Sequence, residues 1–163
     1  MFFMKQLNAV IRPYSDSTDF DAFTQMVGVY FIEDLKEPLY NNPPIRMCKA
    51  MTQSVKDAIT YLDILHIDDS PMGFIMYQVD SPKSNCCEKE GYGFIRELYI
   101  HKDYRKQGYG KTLVAHAESE LKRLSVPHIY LTSSNDAFWL SVGYTSTGET
   151  CEKNNNHILL KQS

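Results

Sequence analysis

The chain reads as an α/β fold in which a mixed sheet carries helices on both faces. Three observations predict it. Short apolar runs of strand character alternate with segments patterned at 3.6 residues per turn. The run YGFIRELYI (92–100) leads through the basic, glycine-bearing turn YRKQGYGK (104–111) into an amphipathic stretch, a strand–turn–helix unit. No repeat and no linker-like segment interrupts the 163 residues, so 1–163 is expected to be one domain.

The elements follow in order. LNAVIRPY (7–14) is a short apolar, β-branched run and is expected to be the first strand. Ser15 to Asp19 supply helix-start residues, and Thr18 with Asp21 has the spacing of a capping box. Phe20, Phe23, Val27 and Tyr30 then share one helical face. EPLYNNPP (37–44) breaks that helix, and a second one starts near Pro44, where proline suits the first turn. Its inner side is expected to carry Cys48, Met51, Val55, Ala58 and Leu62. YLDILHI (61–67) and MGFIMYQV (72–79) read as strands joined at Asp68-Asp69-Ser70, a hairpin. SPKSNCCEKEG (81–91) is a polar loop before the 92–100 strand.

From Lys111 to Leu124, the residues Leu113, Val114, Ala117, Leu121 and Leu124 form an apolar helical stripe. Glu118 and Lys122 are expected to pair on the wet face. Pro127 ends the helix and HIYLT (128–132) is a buried type of strand. SSNDAFWLSVGY (133–144) reads as a short capped helix closed by Gly143. Tyr144–Thr147 and HILLKQ (157–162) are two final strands around a polar loop.

Composition narrows the function. Apolar residues make up 43% and charged residues 23%, as in soluble globular proteins. The net charge of −3 provides no global basic field, which argues against nucleic acid or an anionic membrane as partner. No apolar run reaches the roughly 18 residues of a membrane span, and the start lacks a signal-peptide pattern, so a cytoplasmic protein is expected. Cys48, Cys86, Cys87 and Cys151 show no zinc-knuckle spacing. They read as free thiols in a reducing compartment, and no metal is expected; a redox or metal role is the lesser alternative.

YRKQGYGK poses the chemical question. A helix start offers unpaired N–H groups and the positive end of its dipole. Gly108 and Gly110 let a ligand approach the backbone, while Arg105, Lys106 and Lys111 add positive charge. The combination suits a phosphate or pyrophosphate. The spacing is neither that of a Walker A loop nor GxGxxG. On spacing alone, a tight turn with solvated basic side chains competes evenly with an anion site.

In its context, ELYIHKDYRKQGYGKTLV resembles the acetyl-CoA signature of the GNAT superfamily of N-acyltransferases, [RQ]xxGx[GA], through Arg105, Gly108 and Gly110. NDAFWLSVGYTSTGE resembles the family's later helix. The likeness runs from about residue 8 to 162 in element order and is specific from about 92 to 145. It implies a mostly antiparallel sheet whose fourth and fifth strands splay into a V. The pantetheine arm of acetyl-CoA would lie in that V against Leu98, Tyr99 and Ile100, and the N–H groups of Arg105, Lys106, Gln107, Gly108, Tyr109, Gly110 and Lys111 would hold the pyrophosphate. Asn135, Phe138 and Trp139 would line the far side.

The reaction the resemblance implies is direct attack of a neutral amine on the thioester. An amine of pKa near 10 is mostly protonated at neutral pH, so a base must take its proton. Glu97, one residue before Leu98, is the leading candidate, with Asp63, His66 and Asp136 as alternatives. A pairing of Glu97 with Arg96, Lys102 or solvent is the structural alternative. The Ile100 N–H is the expected oxyanion donor. One departure stands out: Trp139 occupies the position, four residues before Gly143, where the family often has a thiolate-protonating tyrosine. An indole N–H is not a practical proton source, so the thiolate leaves unassisted or is helped by water or a nearby group such as Ser141 or Tyr144.

The first two helices and later loops normally build the acceptor site in this fold; here they offer Tyr30, Glu33, Asp34, Glu37, Tyr40, Asn41 and Asn42. Acidic and aromatic groups suit a cationic amine of a small molecule or a peptide. Two alternatives accompany the enzyme reading: a catalytically weak acyl-CoA-binding sensor or subunit, and a protein or peptide acetyltransferase. A homodimer is compatible with the resemblance.

Overall fold

The computed structural model describes residues 6–36 and 44–163. Seven strands form one sheet in the order β1-β2-β3-β4-β5-β7-β6. They are β1 (Ala9–Pro13), β2 (Tyr61–Ile67), β3 (Ser70–Val79), β4 (Gly93–Ile100), β5 (His128–Ser133), β6 (Thr145–Thr150) and β7 (His157–Gln162). All neighbours pair antiparallel except β4 and β5. That parallel pairing is confined to Gly93 opposite Ile129 and Phe94 opposite Tyr130, so from residue 95 onward β4 has no register partner on β5. This is the expected splay.

Helices cover both faces because the strands are apolar on both. Along β2 and β3, alternate side chains go to opposite faces of the sheet. Leu65, Ile67, Ile75 and Tyr77 meet Leu113, Val114, Ala117 and Leu121 of α3 (Tyr109–Arg123). Leu62, Ile64, Phe74 and Met76 meet Phe23, Met26 and Val27 of α1 (Asp16–Val29) and Cys48 of α2 (Pro44–Lys56). The short α4 (Ala137–Ser141) follows β5, and Gly143, at φ +100°, ends it.

Several local expectations are corrected. Helix α1 starts one turn earlier than the Thr18–Asp21 spacing suggests: Ser15 is its N-cap, and the Ser15 N–H donates to Asp19 Oδ2 at 2.7 Å. Helix α2 stops at Lys56, so Ala58 (φ +57°) lies in the turn beyond it and Leu62 is buried from β2 instead. Leu124 is the C-cap of α3 and is exposed. Glu118 does not pair with Lys122 on the wet face. It turns inward, 2.9 Å from Lys161 Nζ, and accepts a hydrogen bond from the Tyr144 hydroxyl at 3.2 Å. A cation and a donor from the sheet outcompete a solvated helix pair worth a few tenths of a kcal/mol.

Two irregularities position the site. Between Met76 and Tyr77 the β3 register skips Arg96, a bulge on β4. Ile95 packs on the α3 side, whereas Glu97 meets Tyr30 on the α1 side. In an unbroken strand residues 95 and 97 would share a face, so the bulge re-aims the Glu97 side chain. The second irregularity is a π-helical turn, Tyr30–Asp34, which closes with Leu35 N–H donating to the Tyr30 carbonyl at 2.9 Å. Such turns recur at functional sites.

Candidate active site

Two cavities meet along the splayed edge of β4. One, of about 540 Å³, is lined by Leu98, Tyr99, Ile100, Arg105, Lys106, Gly108, Gly110, Lys111 and Phe138, together with Tyr30 and Asp34. The other, of about 570 Å³, includes Glu97, Asn135, Trp139 and Asn154 in its wall. Tyr30, Asp34, Leu98 and Phe138 belong to both.

The basic turn forms the far end of the first cavity. Lys106 (φ +61°) and Gly108 (φ +91°) are both left-handed, and they wind the chain into the start of α3. The first ladder bond of α3 runs from Thr112 N–H to the Gly108 carbonyl at 3.1 Å, so the N–H groups of Tyr109, Gly110 and Lys111 precede the helix's own bonding. At Gly110 a Cβ would sit 3.4 Å from the Phe138 ring, within the space between turn and α4. Lys106 and Lys111 are exposed. The side chains of Gln107 and Tyr109 leave the cavity: the Gln107 amide donates to the Asp103 carbonyl at 3.1 Å, and Tyr109 packs edge-on against Tyr104.

Arg105 has structural partners. Its Nε donates to the Ile100 carbonyl at 2.8 Å, and its Nη2 donates to Asp34 Oδ2 and Oδ1 at 2.8 and 3.0 Å. The guanidinium thereby ties the π-helical turn to the end of β4.

The strand edge supplies backbone donors. The His101 N–H bonds the Met72 carbonyl towards β3, so by strand alternation the Ile100 N–H faces the splay. The Leu98 N–H lies on the same edge and acts on the Tyr30 hydroxyl oxygen. The Tyr99 ring is buried against Phe74, and strand alternation turns its backbone N–H and carbonyl towards β3 rather than the splay.

Glu97 is half-buried and accepts a hydrogen bond from the Tyr30 hydroxyl at 2.6 Å. The alternative pairing with Arg96 is not formed: the Arg96 guanidinium is engaged by Gln78 Oε1 at 3.1 Å and Asn85 Oδ1 at 3.2 Å. Asn135 and Trp139 stand in the wall of the Glu97 cavity rather than beside the basic turn. Trp139 also packs edge-on against Phe138 and Tyr144.

The alternative acid–base groups lie elsewhere. Asp63 is buried and bonds the Tyr77 hydroxyl at 2.6 Å and His116 Nε2 at 2.8 Å, against a separate cavity. His66 is buried in β2, and Asp136 pairs with His157 at 2.7 Å. The Ser141 hydroxyl donates to the Phe138 carbonyl at 2.5 Å, and Tyr144 is committed to Glu118. Neither lines the two cavities. Of the proposed acceptor-site residues, Tyr30 and Asp34 reach the site, and Glu37, Tyr40, Asn41 and Asn42 fall outside the described residues. Among the described residues, no group of three or more His, Cys, Asp or Glu is arranged to hold a metal, and no helix is long and apolar enough to cross a membrane.

The fold has counterparts among solved structures, and a sequence profile decides the family. The profile of the acetyltransferase (GNAT) family matches residues 24–144, well over half of the chain. The protein is a member of the GNAT acetyltransferase family. No curated protein sequence matches it significantly. Solved GNAT structures share its fold at low identity. The PaiA N-acetyltransferase of Thermoplasma acidophilum, determined in complex with coenzyme A, superposes with a TM-score of 0.71 at 15% identity, over 96% of this chain and 99% of that one. A GNAT-family acetyltransferase of Staphylococcus aureus gives 0.73 at 12% identity, over 95% and 99%. A related N-acetyltransferase of Ralstonia eutropha gives 0.72 at 17% identity, over 89% and 97%. In this GNAT member, the profile spans both the π-helical turn and the basic turn.

Proposed function

We propose that this GNAT member transfers an acetyl group from acetyl-CoA to the amine of a small molecule or peptide, with Glu97 as the base. One observation carries the reading: the Glu97 cavity and the basic-turn cavity are contiguous through Leu98, Tyr30 and Phe138. A donor whose phosphates rest on the basic turn would present its thioester beside Leu98, next to the Glu97 carboxylate. Coenzyme A in the Thermoplasma relative supports this choice of donor.

The residues divide the work. The free N–H groups of Tyr109, Gly110 and Lys111, aided by the Lys106 and Lys111 charges, bind phosphate oxygens. Glu97 takes a proton from the bound amine, directly or through a water. The amine nitrogen then bonds to the thioester carbonyl carbon, the C–S bond breaks, and the CoA thiolate leaves with a proton from solvent. The Ile100 N–H on the splayed edge is the donor for the carbonyl oxygen as charge develops. Glu97 places a carboxylate at the junction suited to a cationic acceptor, whereas Asp34 is already paired with Arg105. The thiols of buried Cys48 and Cys151 suit a reducing cytoplasm.

A second reading, an acyl-CoA-binding module with weak turnover, is favoured by Trp139 and by the engagement of Ser141 and Tyr144 elsewhere. Thermal unfolding with acetyl-CoA, ATP and NAD, followed by an amine screen for thiol release, separates the readings. Stabilisation by acetyl-CoA alone plus thiol release supports the enzyme. Stabilisation without release from any amine supports the module. Equal stabilisation by ATP sinks both.

A further inference from the structure

A separate cavity, of about 500 Å³, opens where the turn after α2 meets β2 and α3. It shares no lining residue with the two cavities of the candidate active site. In its wall stands Asp63, only 6% exposed. One carboxylate oxygen, Oδ2, accepts from the Tyr77 hydroxyl at 2.6 Å and from His116 Nε2 at 2.8 Å. The other, Oδ1, accepts no hydrogen bond from any described residue. A buried carboxylate oxygen left without a donor is costly, so the site favours whatever brings one. Glu120 adds a second carboxylate to the wall. Its charge acts at the same spot, because burial, then Asp63 and then Glu120 raise the Tyr77 hydroxyl above its ordinary value. Glu120 Oε1 meets Arg123 at 2.9 Å, but Arg123 is exposed and does not line the cavity. Among the described residues, no Lys or Arg lines it.

Apart from the hydroxyl of exposed Tyr61, the other polar side chains of the wall are acceptors or are already engaged. With its Nε2 proton given to Asp63, the neutral His116 ring presents Nδ1 as an acceptor, and Nδ1 has no hydrogen-bond partner among the described residues. Tyr14 donates to Asp16 at 2.9 Å, and Thr60 shares a 2.6 Å hydrogen bond with Ser54. The rest of the wall is apolar or aromatic, with Val55, Leu62 and the Tyr61 ring, which stacks on Tyr77 at 5.4 Å. We propose that this cavity binds a primary alkylammonium ion at a site separate from acyl transfer. The three N–H groups of such an ion match the acceptors Asp63 Oδ1, Glu120 and His116 Nδ1 in kind and number. Its charge offsets the two carboxylates. Its chain lies along Val55 and Leu62, and the Tyr61 ring attracts a cation as well as covering apolar surface. The cavity volume is in the range that holds a small organic molecule. Neither Glu97 nor acetyl-CoA takes part in this binding.

NMR titration of the whole protein with n-butylammonium chloride tests this, with n-butanol and sodium chloride as controls. Three reporters are followed: the His116 ring, the Val55 methyls, and the indole N–H of Trp139, the chain's single tryptophan, in the wall of the Glu97 cavity. Saturable shifts of His116 and Val55 are expected from the ammonium and from neither control. Their absence overturns the proposal. So does an equal response to butanol, which would make the cavity a merely apolar one. Saturable shifts confined to Trp139 would place the cation in the Glu97 cavity and overturn it too. Asp63→Asn keeps an oxygen for Tyr77 and His116 and removes the charge. Affinity for the ammonium is expected to fall about tenfold, as for the loss of one charge-assisted hydrogen bond. Undiminished affinity overturns the proposal. If Asp63→Asn does not fold, Glu120→Gln, on the partly exposed side of α3, serves instead. A fall of roughly threefold is expected there from a partly screened charge, and unchanged affinity overturns the proposal.

Discussion

Arg105 grips both carboxylate oxygens of Asp34, at 2.8 and 3.0 Å, across 71 residues of sequence. The same guanidinium donates to the Ile100 carbonyl. One planar, always-charged group therefore fastens the π-helical turn to β4 at the mouth shared by both cavities. Lysine would keep the charge but lose the fork. Arg105→Lys is expected to cost about 1 kcal/mol, a value discounted for side chains that are 40% and 25% exposed. Urea denaturation reads the loss, and the difference from the unsubstituted protein should shrink at high salt. Equal stability at low salt would show that the clamp contributes nothing.

Gly110 separates cofactor binding from folding. A Cβ at this position meets only the edge of the Phe138 ring at 3.4 Å, so the backbone accepts a side chain. Gly110→Glu would nevertheless put bulk and negative charge where phosphate is expected to bind. Its own melting temperature should stay within a few degrees of the original. The acetyl-CoA shift, on the order of 2–6 °C for the unsubstituted chain at saturating ligand, should vanish. A retained shift would move the phosphate site away from the basic turn.

Glu97→Gln removes the base while keeping size and a hydrogen-bond acceptor for Tyr30. Acetyl transfer is expected to fall roughly 10²–10⁴-fold, the usual contribution of a general base. Acetyl-CoA stabilisation should be unchanged, because Glu97 lines only the acceptor cavity. Turnover that survives intact would transfer the base role to another group or to water.

Alkaline pH should unfold this protein through its phenols. Tyr30, Tyr77, Tyr130 and Tyr144 donate to Glu97, Asp63, Asp80 and Glu118, respectively. Burial first, and then these carboxylates, raise all four above the ordinary 10.0. The folded state thus holds protons that the unfolded chain releases near pH 10. Their stabilisation is fully present below pH 10 and is lost as pH climbs beyond it. Absorbance at the tyrosinate band should show a late, cooperative step coincident with loss of circular dichroism. Gradual titration of all tyrosines in the folded protein would contradict the pairing.

Element order and the basic turn were legible in the sequence. The stripe Leu113, Val114, Ala117 and Leu121 marked α3, and the apolar runs at 61–67, 72–79 and 92–100 marked three adjacent strands. Both are local patterns, set by which side of an element must leave water. The Tyr30–Glu97 bond was not legible, although both residues were singled out separately. The Arg96 bulge and the π-helical turn each shift the phase of an element by one residue, and no composition signal marks either. Glu118 misled for a related reason: its i,i+4 partner was visible in the sequence, while Lys161 and Tyr144 approach only through the fold.

The splay was implied by the family resemblance. By itself, then, the sequence determined the α/β order and the glycine and lysine chemistry of residues 104–111. Those properties depend on neighbours within one or two turns of chain. Tertiary structure alone decided that Arg105 serves Asp34 and Ile100, that Asp63 belongs to Tyr77 and His116, and that Glu97 faces Tyr30. A side chain's partner is chosen by which donors reach it once the sheet and helices have packed. Here the choice turned on single-residue phase shifts that packing stabilises and local propensity does not encode.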